Sequence, residues 1–339
     1  MTLIKGIQTV GKNDGKGLSL EDKFGMFLKV FSGEVLTAFT RTTVTNTRHT
    51  IRSIQHGKSA SFPVLGRTTA RYLESGASLD EGREKIKGTE KVIVVDGLLV
   101  SDVMISDIED AMNHFDVKSE YSKQLGEALA IAYDGAVLAE IAAGCNIATL
   151  NNENIEGLGK PVVLKVPNTQ KGSYLNDPEI WGKGILKMLA QAQAKLNAQY
   201  VPQGERYFYC KPEVYAAISA ALLPTGSNFA AISNPQSGTL TNIFGFEIIQ
   251  VPHLTVGGVG GKHQWVSVAN GAEGPQQVGK DNVIGLFHHR SAVGTVKLKD
   301  MSIERGRRIE YQSDIIVGKQ SMGHGLLRPE ALGALITNS

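Results

Sequence analysis

The chain has 339 residues, 42% hydrophobic and 20% charged. That composition suits a large globular domain or two to three ordinary ones and excludes a disordered chain. Its 35 Lys and Arg against 33 Asp and Glu leave a net charge of +2, which excludes a nucleic-acid binder working by bulk charge and an acidic tail protein. Two cysteines make neither a disulfide framework nor a multi-cysteine zinc site, and they fit a reducing compartment.

The opening run MTLIKGIQTVGKNDGKG lacks the apolar core of a secretory signal, and no run of 18 apolar residues suggests a membrane span. The expectation is a protein made and matured in the cytoplasm. Residues 1–19 read as a mobile leader. Leu20, Phe24, Phe27, Leu28, Phe31, Val35 and Phe39 then recur at helical spacing. They predict a helix with a Phe-rich face that needs a partner surface, weakened by Gly25 and Gly33. The first 60 residues carry nine basic and four acidic groups.

Residues 61–96 carry six basic and six acidic side chains and few large aliphatics, so they bury little by themselves. Apolar runs at Phe62–Leu65 and Val92–Val95 flank this stretch. They predict an extended two-stranded arm with a charged tip, a long connection of the kind that carries function. Two apolar runs meeting at Asp96-Gly97 predict a further hairpin. The longest predicted helix covers 118–143, with Tyr121, Leu125, Leu129, Ala132, Ala136, Ala139 and Ala143 on one stripe and Gly144 as its C-cap.

Residues 146–177 read as loop. A second helix runs from Pro178, capped by Asp177, to near Asn197. RYFYC (206–210) reads as a strand, Pro212 to Leu223 as a short helix, 243–251 as one strand and 256–261 as a flexible loop. Residues 283–298 read as a strand, and short strands and turns follow from Met301. Helices and strands mix without a βαβ rhythm, so the fold class is α+β.

Candidate chemistry is sparse. The loop VGGVGGKH (256–263) lacks the first Gly and the final hydroxyl of a Walker A loop and reads as flexible surface. His288 and His289 are adjacent and predicted to face opposite sides of a strand, one packed and one exposed, so they do not share a metal. Cys145 and Cys210 read as buried structural thiols. Asp107, Glu109 and Asp110 read as carboxylates at a helix N-terminus. No cofactor is implied. The arm is different: Arg67, Arg71, Arg83 and Lys85 alternate with Glu74, Asp80, Glu81 and Glu84. Mixed signs suit salt bridges to identical neighbours, an intermolecular clamp, better than binding to a polyanion.

Several long runs carry a resemblance. They include FLKVFSGEVLTAFTRT (27–42), GKSASFPVLGR (57–67), TEKVIVVDGLL (89–99), DIEDAMNHFDVKSEYSKQLGEALA (107–130), GFEIIQVPHL (245–254), DNVIGLFHHRSAVGTVKL (281–298) and MGHGLLRPEA (322–331). With them the chain resembles, nearly end to end, the major capsid proteins of short-tailed, T-seven-like bacteriophages. The resemblance implies a Hong Kong 97-type capsid fold. Its parts are an N-terminal arm (1–60), an extended loop (61–96), a peripheral domain (97–146) with spine helix 118–143, an axial domain (147–290), and strands 291–339 returning to the peripheral domain.

It implies hexamers and pentamers on an icosahedral lattice, a scaffolding protein, a portal protein and packaged double-stranded DNA. The expected role is structural and non-catalytic, in a virion capsid assembled in the host bacterial cytoplasm, with no membrane. Expected contacts between subunits are Phe24, Phe27, Leu28 and Phe31 on the arm. On the loop they are Phe62, Arg67, Arg71, Tyr72, Leu73, Glu74, Asp80, Arg83, Glu84 and Lys85. The arm is the expected DNA-facing segment, and arm, loop and long helix are the parts expected to move on maturation. One rival is an encapsulin-like nanocompartment shell protein. Another is a cytosolic α+β enzyme using Cys145 or His289.

Overall fold

The computed structural model describes residues 34–40, 42–76, 78, 86–108, 117–147, 159–167, 177–222, 233–234, 239–240, 242–266 and 278–337. The chain divides into two units. One lies within Met1–Thr43, Leu98–Ala130 and Lys299–Gln320, the other within Val44–Gly97, Ile131–Leu298 and Ser321–Ser339.

Four sheets organise the described residues. After a helical stretch at 34–40 come strands β1 (Thr50–Ser53), β2 (Ser59–Leu65), β3 (Gly88–Val94) and β4 (Leu98–Ser106). Helix α1 (Val117–Cys145), β5 (Val162–Val166), α2 (Pro178–Ala198), β6 (Arg206–Cys210) and α3 (Pro212–Leu222) follow. Next are β7 (Ser233–Asn234) and β8 (Thr239–Leu240), a minimal ladder, then β9 (Asn242–Ile243), β10 (Phe246–Gln250), β11 (Val283–His289), β12 (Val293–Arg308), β13 (Ser313–Leu326) and β14 (Leu332–Thr337).

The largest sheet has six strands in the order β5-β14-β11-β6-β10-β9. Its centre, β11, reads VIGLFHH and is buried at every position, as a strand covered on both faces must be. This corrects the expected split of the two histidines: His288 and His289 are both buried. Residues 243–251 are likewise not one strand. Phe244 (φ 52) and Gly245 (φ 76) turn the chain between β9 and β10, the double positive φ that suits a two-residue hairpin.

On α2 the predicted stripe is the buried one: Trp181, Ile185, Met188, Leu189, Ala192 and Leu196. Asp177 occupies the N-cap, but its side chain makes no capping bond. The expected loop 146–177 contains β5, which adds in parallel to β14. β5 is a short apolar run whose strand identity comes from its partner rather than from its length.

Helix α1 exceeds the predicted 118–143 by a residue or two at each end. From Leu129 it is buried almost all round, the mark of a core helix. Over Glu120–Cys145 it is long and apolar enough to cross a membrane, yet that stretch is mostly buried inside the protein. Gly144 does not cap it. It lies within the last turn, where a Cβ would come 2.9 Å from both Leu326 and Leu332, so small size, not a left-handed backbone, is what the site uses.

The four-stranded sheet runs β1-β12-β13-β4. The expected short strands after Met301 are in fact two long ones, β12 and β13, joined by a turn ending at Gln312 (φ 44). Strand pairing here overrides local propensity. In the first unit, Val35, Ile105, Leu125 and Ile316 form a core with Val103, Tyr121, Met301 and Ile303 against it. Asp107 is ion-paired there with Arg307, both bonds at 2.5 Å, and that guanidinium lowers the Asp107 pKa. Asp107 and Ile108 are helical directly after β4, so Asp107 stands at a helix N-terminus as predicted. Glu109 and Asp110 lie outside the described residues.

Candidate assembly surface

Strands β2 and β3 pair antiparallel over seven residues, from Ser59↔Val94 to Leu65↔Gly88. They form the two-stranded arm predicted for this stretch. Alternation then sorts the side chains onto two faces. On the inner face, Ala60, Phe62 and Ile93 pack with Val296 and Leu327. On the outer face, Leu65 (59% exposed), Val92 (51%) and Val94 (59%) lie open. Phe62, expected to meet a neighbour, is thus buried inside its own chain, and the guanidinium of Arg52 stands 5.9 Å from its ring. Leu65, Val92 and Val94 are the large apolar side chains that this hairpin turns outward, with Pro63 and Glu90 between Leu65 and the two valines.

The two apolar runs at Asp96-Gly97 are not a hairpin. β3 pairs with β2, whereas β4 belongs to the four-stranded sheet. A turn signal between two strand-like runs is ambiguous when both strands have better partners elsewhere. β4 is an edge strand, and it too has an open row: Leu98, Val100 and Met104, with Asp102 among them.

Beyond β2 the chain runs without regular structure. Arg67, Arg71, Tyr72, Leu73 and Glu74 are all exposed. Arg67 donates a 2.7 Å hydrogen bond to the Gln199 carbonyl at the end of α2, and its guanidinium stacks 4.3 Å from the Tyr200 ring centroid. Cation and acceptor match there, since the last carbonyls of a helix lack intrahelical donors. Phe24, Phe27, Leu28, Phe31, Asp80, Arg83, Glu84 and Lys85 lie outside the described residues.

A buried polar network, not found from the sequence, anchors this second unit. Asp134 of α1 accepts from the amides of Val44 (2.8 Å) and Thr45 (3.1 Å) and from the Thr45 hydroxyl (2.6 Å), with His253 Nε2 at 3.3 Å. His49 Nδ1 lies 2.7 Å from the Thr45 carbonyl, which can only accept, so Nδ1 donates. Nε2 then faces the hydroxyls of Thr295 (2.7 Å) and Tyr133 (3.0 Å) as acceptor. Burial lowers the His49 pKa to about 4, in keeping with this neutral form.

His263 differs. Its Nδ1 is 2.6 Å from Glu140 and its Nε2 2.6 Å from Asp96. The loop 256–266 is therefore not free surface. Its Gly257 carbonyl also lies against Gly135 of α1, where any Cβ would collide with it. Partners 84 to 246 residues apart leave no local signal. One hint was available, a lone Asp134 inside the apolar run AIAYDGAVLA.

Neither thiol is reactive. Cys145 and Cys210 are buried; burial raises the Cys145 pKa strongly and that of Cys210 to about 12, so neither carries thiolate at neutral pH. His289 has its pKa lowered by burial and bonds Ser291 at 2.8 Å.

The comparisons with known proteins agree with the surface rather than with an enzyme. The family described as Gp10A-like major capsid protein matches residues 61–336. The chain is 55% identical over 343 residues to the major capsid protein of Escherichia phage T7, covering 99% of each chain. It is 54% identical over 345 residues to that of Enterobacteria phage T3, covering 99% of this chain and 98% of the relative. Among solved structures it is similar to the capsid of the cyanophage P-SCSP1u, with 31% identity, 97% of each chain covered and a TM-score of 0.70. These relatives do not favour the nanocompartment reading, and they are structural, non-enzymatic proteins. The chain therefore belongs to the Gp10A-like major capsid protein family and has the Hong Kong 97-type capsid fold.

Proposed function

We propose that this chain is the repeated subunit of an icosahedral virion shell. It associates as hexamers and pentamers around a scaffolding protein, with a portal protein at one vertex. Double-stranded DNA is packaged inside and contacted non-specifically, and assembly takes place in the host bacterial cytoplasm. In this reading residues 1–60 are the arm, 61–96 the extended loop, 97–146 the peripheral domain, 147–290 the axial domain, and 291–339 the strands returning to the peripheral domain.

The observation that carries the reading is a hairpin with one face in the core and Leu65, Val92 and Val94 open on the other. In a shell, Leu65, Val92 and Val94 of one copy cover Leu98, Val100 and Met104 of the next. Fully burying one such side chain is worth about 1.5–3 kcal/mol, and ordering the partners offsets part of it. Each contact is therefore weak and reversible until closure raises the effective concentration of the remaining ones. The arm docks Phe24, Phe27, Leu28 and Phe31 on neighbouring copies. Arg67, Arg71, Arg83 and Lys85, with Glu74, Asp80 and Glu84, set register, because like charges reject wrong alignments. Tyr72 and Leu73 add apolar anchors at the exposed end.

The test is negative-stain electron microscopy of the protein co-expressed with its scaffold, as wild type and with Arg67, Arg71 and Arg83 all changed to Glu. Wild type is expected to give closed shells, and the triple variant folded subunits with unchanged circular dichroism and no shells. Normal shells from the variant would remove the role given to the loop charges. Persistent wild-type monomers would contradict the shell itself.

A further inference from the structure

We propose that His263 is a positioning residue for the β2–β3 hairpin: its ring ties the end of β3 to helix α1 and so fixes how the hairpin is presented for assembly. The purpose rests on the assembly reading above; the geometry lies wholly within one unit and stands apart from it.

Three segments far apart in sequence meet at one imidazole. Asp96 lies two residues beyond the hairpin's return strand, Glu140 lies on α1, and His263 lies on the loop 256–266. Both ring nitrogens face a carboxylate oxygen at 2.6 Å. Ionised carboxylates only accept, so both nitrogens must donate and the ring is an imidazolium. Burial opposes this charge, but the hydrogen bonds and negative charges of Asp96 and Glu140 outweigh it, and the pKa is raised to about 9.

The other group packed against the ring is His324 of β13, edge-on at 5.4 Å. Burial and the charge of His263 hold it well below its ordinary pKa, so it remains neutral. Lys262 neighbours His263 on its own loop, and Lys297 and the neutral His49 act on His324 from behind.

The site of attachment matters. Asp96 directly precedes Gly97, whose φ of +131 is a conformation L side chains rarely adopt. The Asp96 amide donates to the Met322 carbonyl at 3.0 Å and the Val95 amide to Lys58 at 2.8 Å. Gly323 lets the Val94 carbonyl approach where a Cβ would collide. The hairpin therefore leaves the core through a joint held by backbone bonds, with His263 as a charged pin across it. His263 itself has φ 49, a strained backbone for a residue with a side chain, which persists only where the surroundings hold it.

The sign follows from the raised pKa. The pin is fully present below the ordinary histidine value of about 6.5 and is lost as pH rises through about 9.

The experiment is hydrogen exchange on the full-length, unassembled protein, expressed as protection factors from pH 6.5 to 10. It compares wild type, His263→Gln and Glu140→Gln. Wild-type protection in 59–65 and 88–94 is expected to fall about tenfold with a midpoint near pH 9, while β6 and β11 hold. His263→Gln should show the low value at every pH. Glu140→Gln should move the midpoint down by about a pH unit or more, because one of the two charges raising the pKa is gone.

Unchanged hairpin protection in His263→Gln would overturn the proposal. So would an equal loss across β6 and β11, which would make His263 a general core residue. Since free subunits are measured, a failure here leaves the shell reading intact, and absent wild-type shells would leave this result standing.

Discussion

The six-stranded sheet and the β2–β3 hairpin show two ways in which one chain uses apolar residues. In β11 each side chain finds its partner by folding: all seven are buried, and Phe287 meets Phe246 edge to face at 5.6 Å. In the hairpin only one face does so, and Leu65, Val92 and Val94 stay open. The same residue types occur in both. What differs is whether the opposite face has a partner among the described residues; in the reading proposed above, folding completes the first region and association the second.

Substitutions should separate the two regions cleanly. Phe287→Ala removes a ring at the sheet centre and should cost about 3–5 kcal/mol. In thermal melts Tm should drop sharply, and shells should be lost because the subunit is lost. A small shift would mean that the sheet is not the stabilising core.

Acid should attack the same region. Burial lowers the pKa of His49 to about 4 and of His288 to about 3. Below pH 6.5 the unfolded chain takes up protons that these rings refuse, so stability is lost on the acid side. The slope is about 1.4 kcal/mol per pH unit for each ring, down to about pH 4 for His49 and 3 for His288. Denaturant titrations at pH 7 and 5.5 check this, and His288→Gln should flatten the slope. Equal stability at both pH values would show that the buried rings are not held neutral.

The smallest effect on folding, and the largest on assembly relative to folding, is expected from changing Val92 and Val94 together to Lys. Both are exposed, so the folding free energy should move by no more than about 0.5 kcal/mol, while shell yield falls because charges would be buried between copies. Loss of folding would place these residues in the core and erase the contrast.

The sequence made some of this legible and hid the rest for physical reasons. Helix α2 follows from a stripe repeating near 3.6 residues, helix α1 from a long apolar stretch that is buried almost all round from Leu129, and the two-stranded arm from its flanking apolar runs. Pairing choices were not legible: β3 and β4 looked like one hairpin, and β5 looked like loop, because a strand's partner is a non-local fact. Phe62 was assigned outward because nothing local says which face of a two-faced strand is covered. The pin made by Asp96, Glu140 and His263 was invisible for the same reason. In sequence its members are an acid at a turn, an acid on a helix and a histidine in a glycine-rich loop.

One measurement tests the contrast most directly. Cys145 and Cys210 are both buried, so in a Val92→Cys protein a thiol reagent reports on position 92. The account predicts rapid labelling in free subunits and labelling slowed by about tenfold or more in assembled shells, as a solvent-open side chain becomes covered. Equally rapid labelling in both states would contradict the claim that neighbouring copies complete the hairpin's outer face.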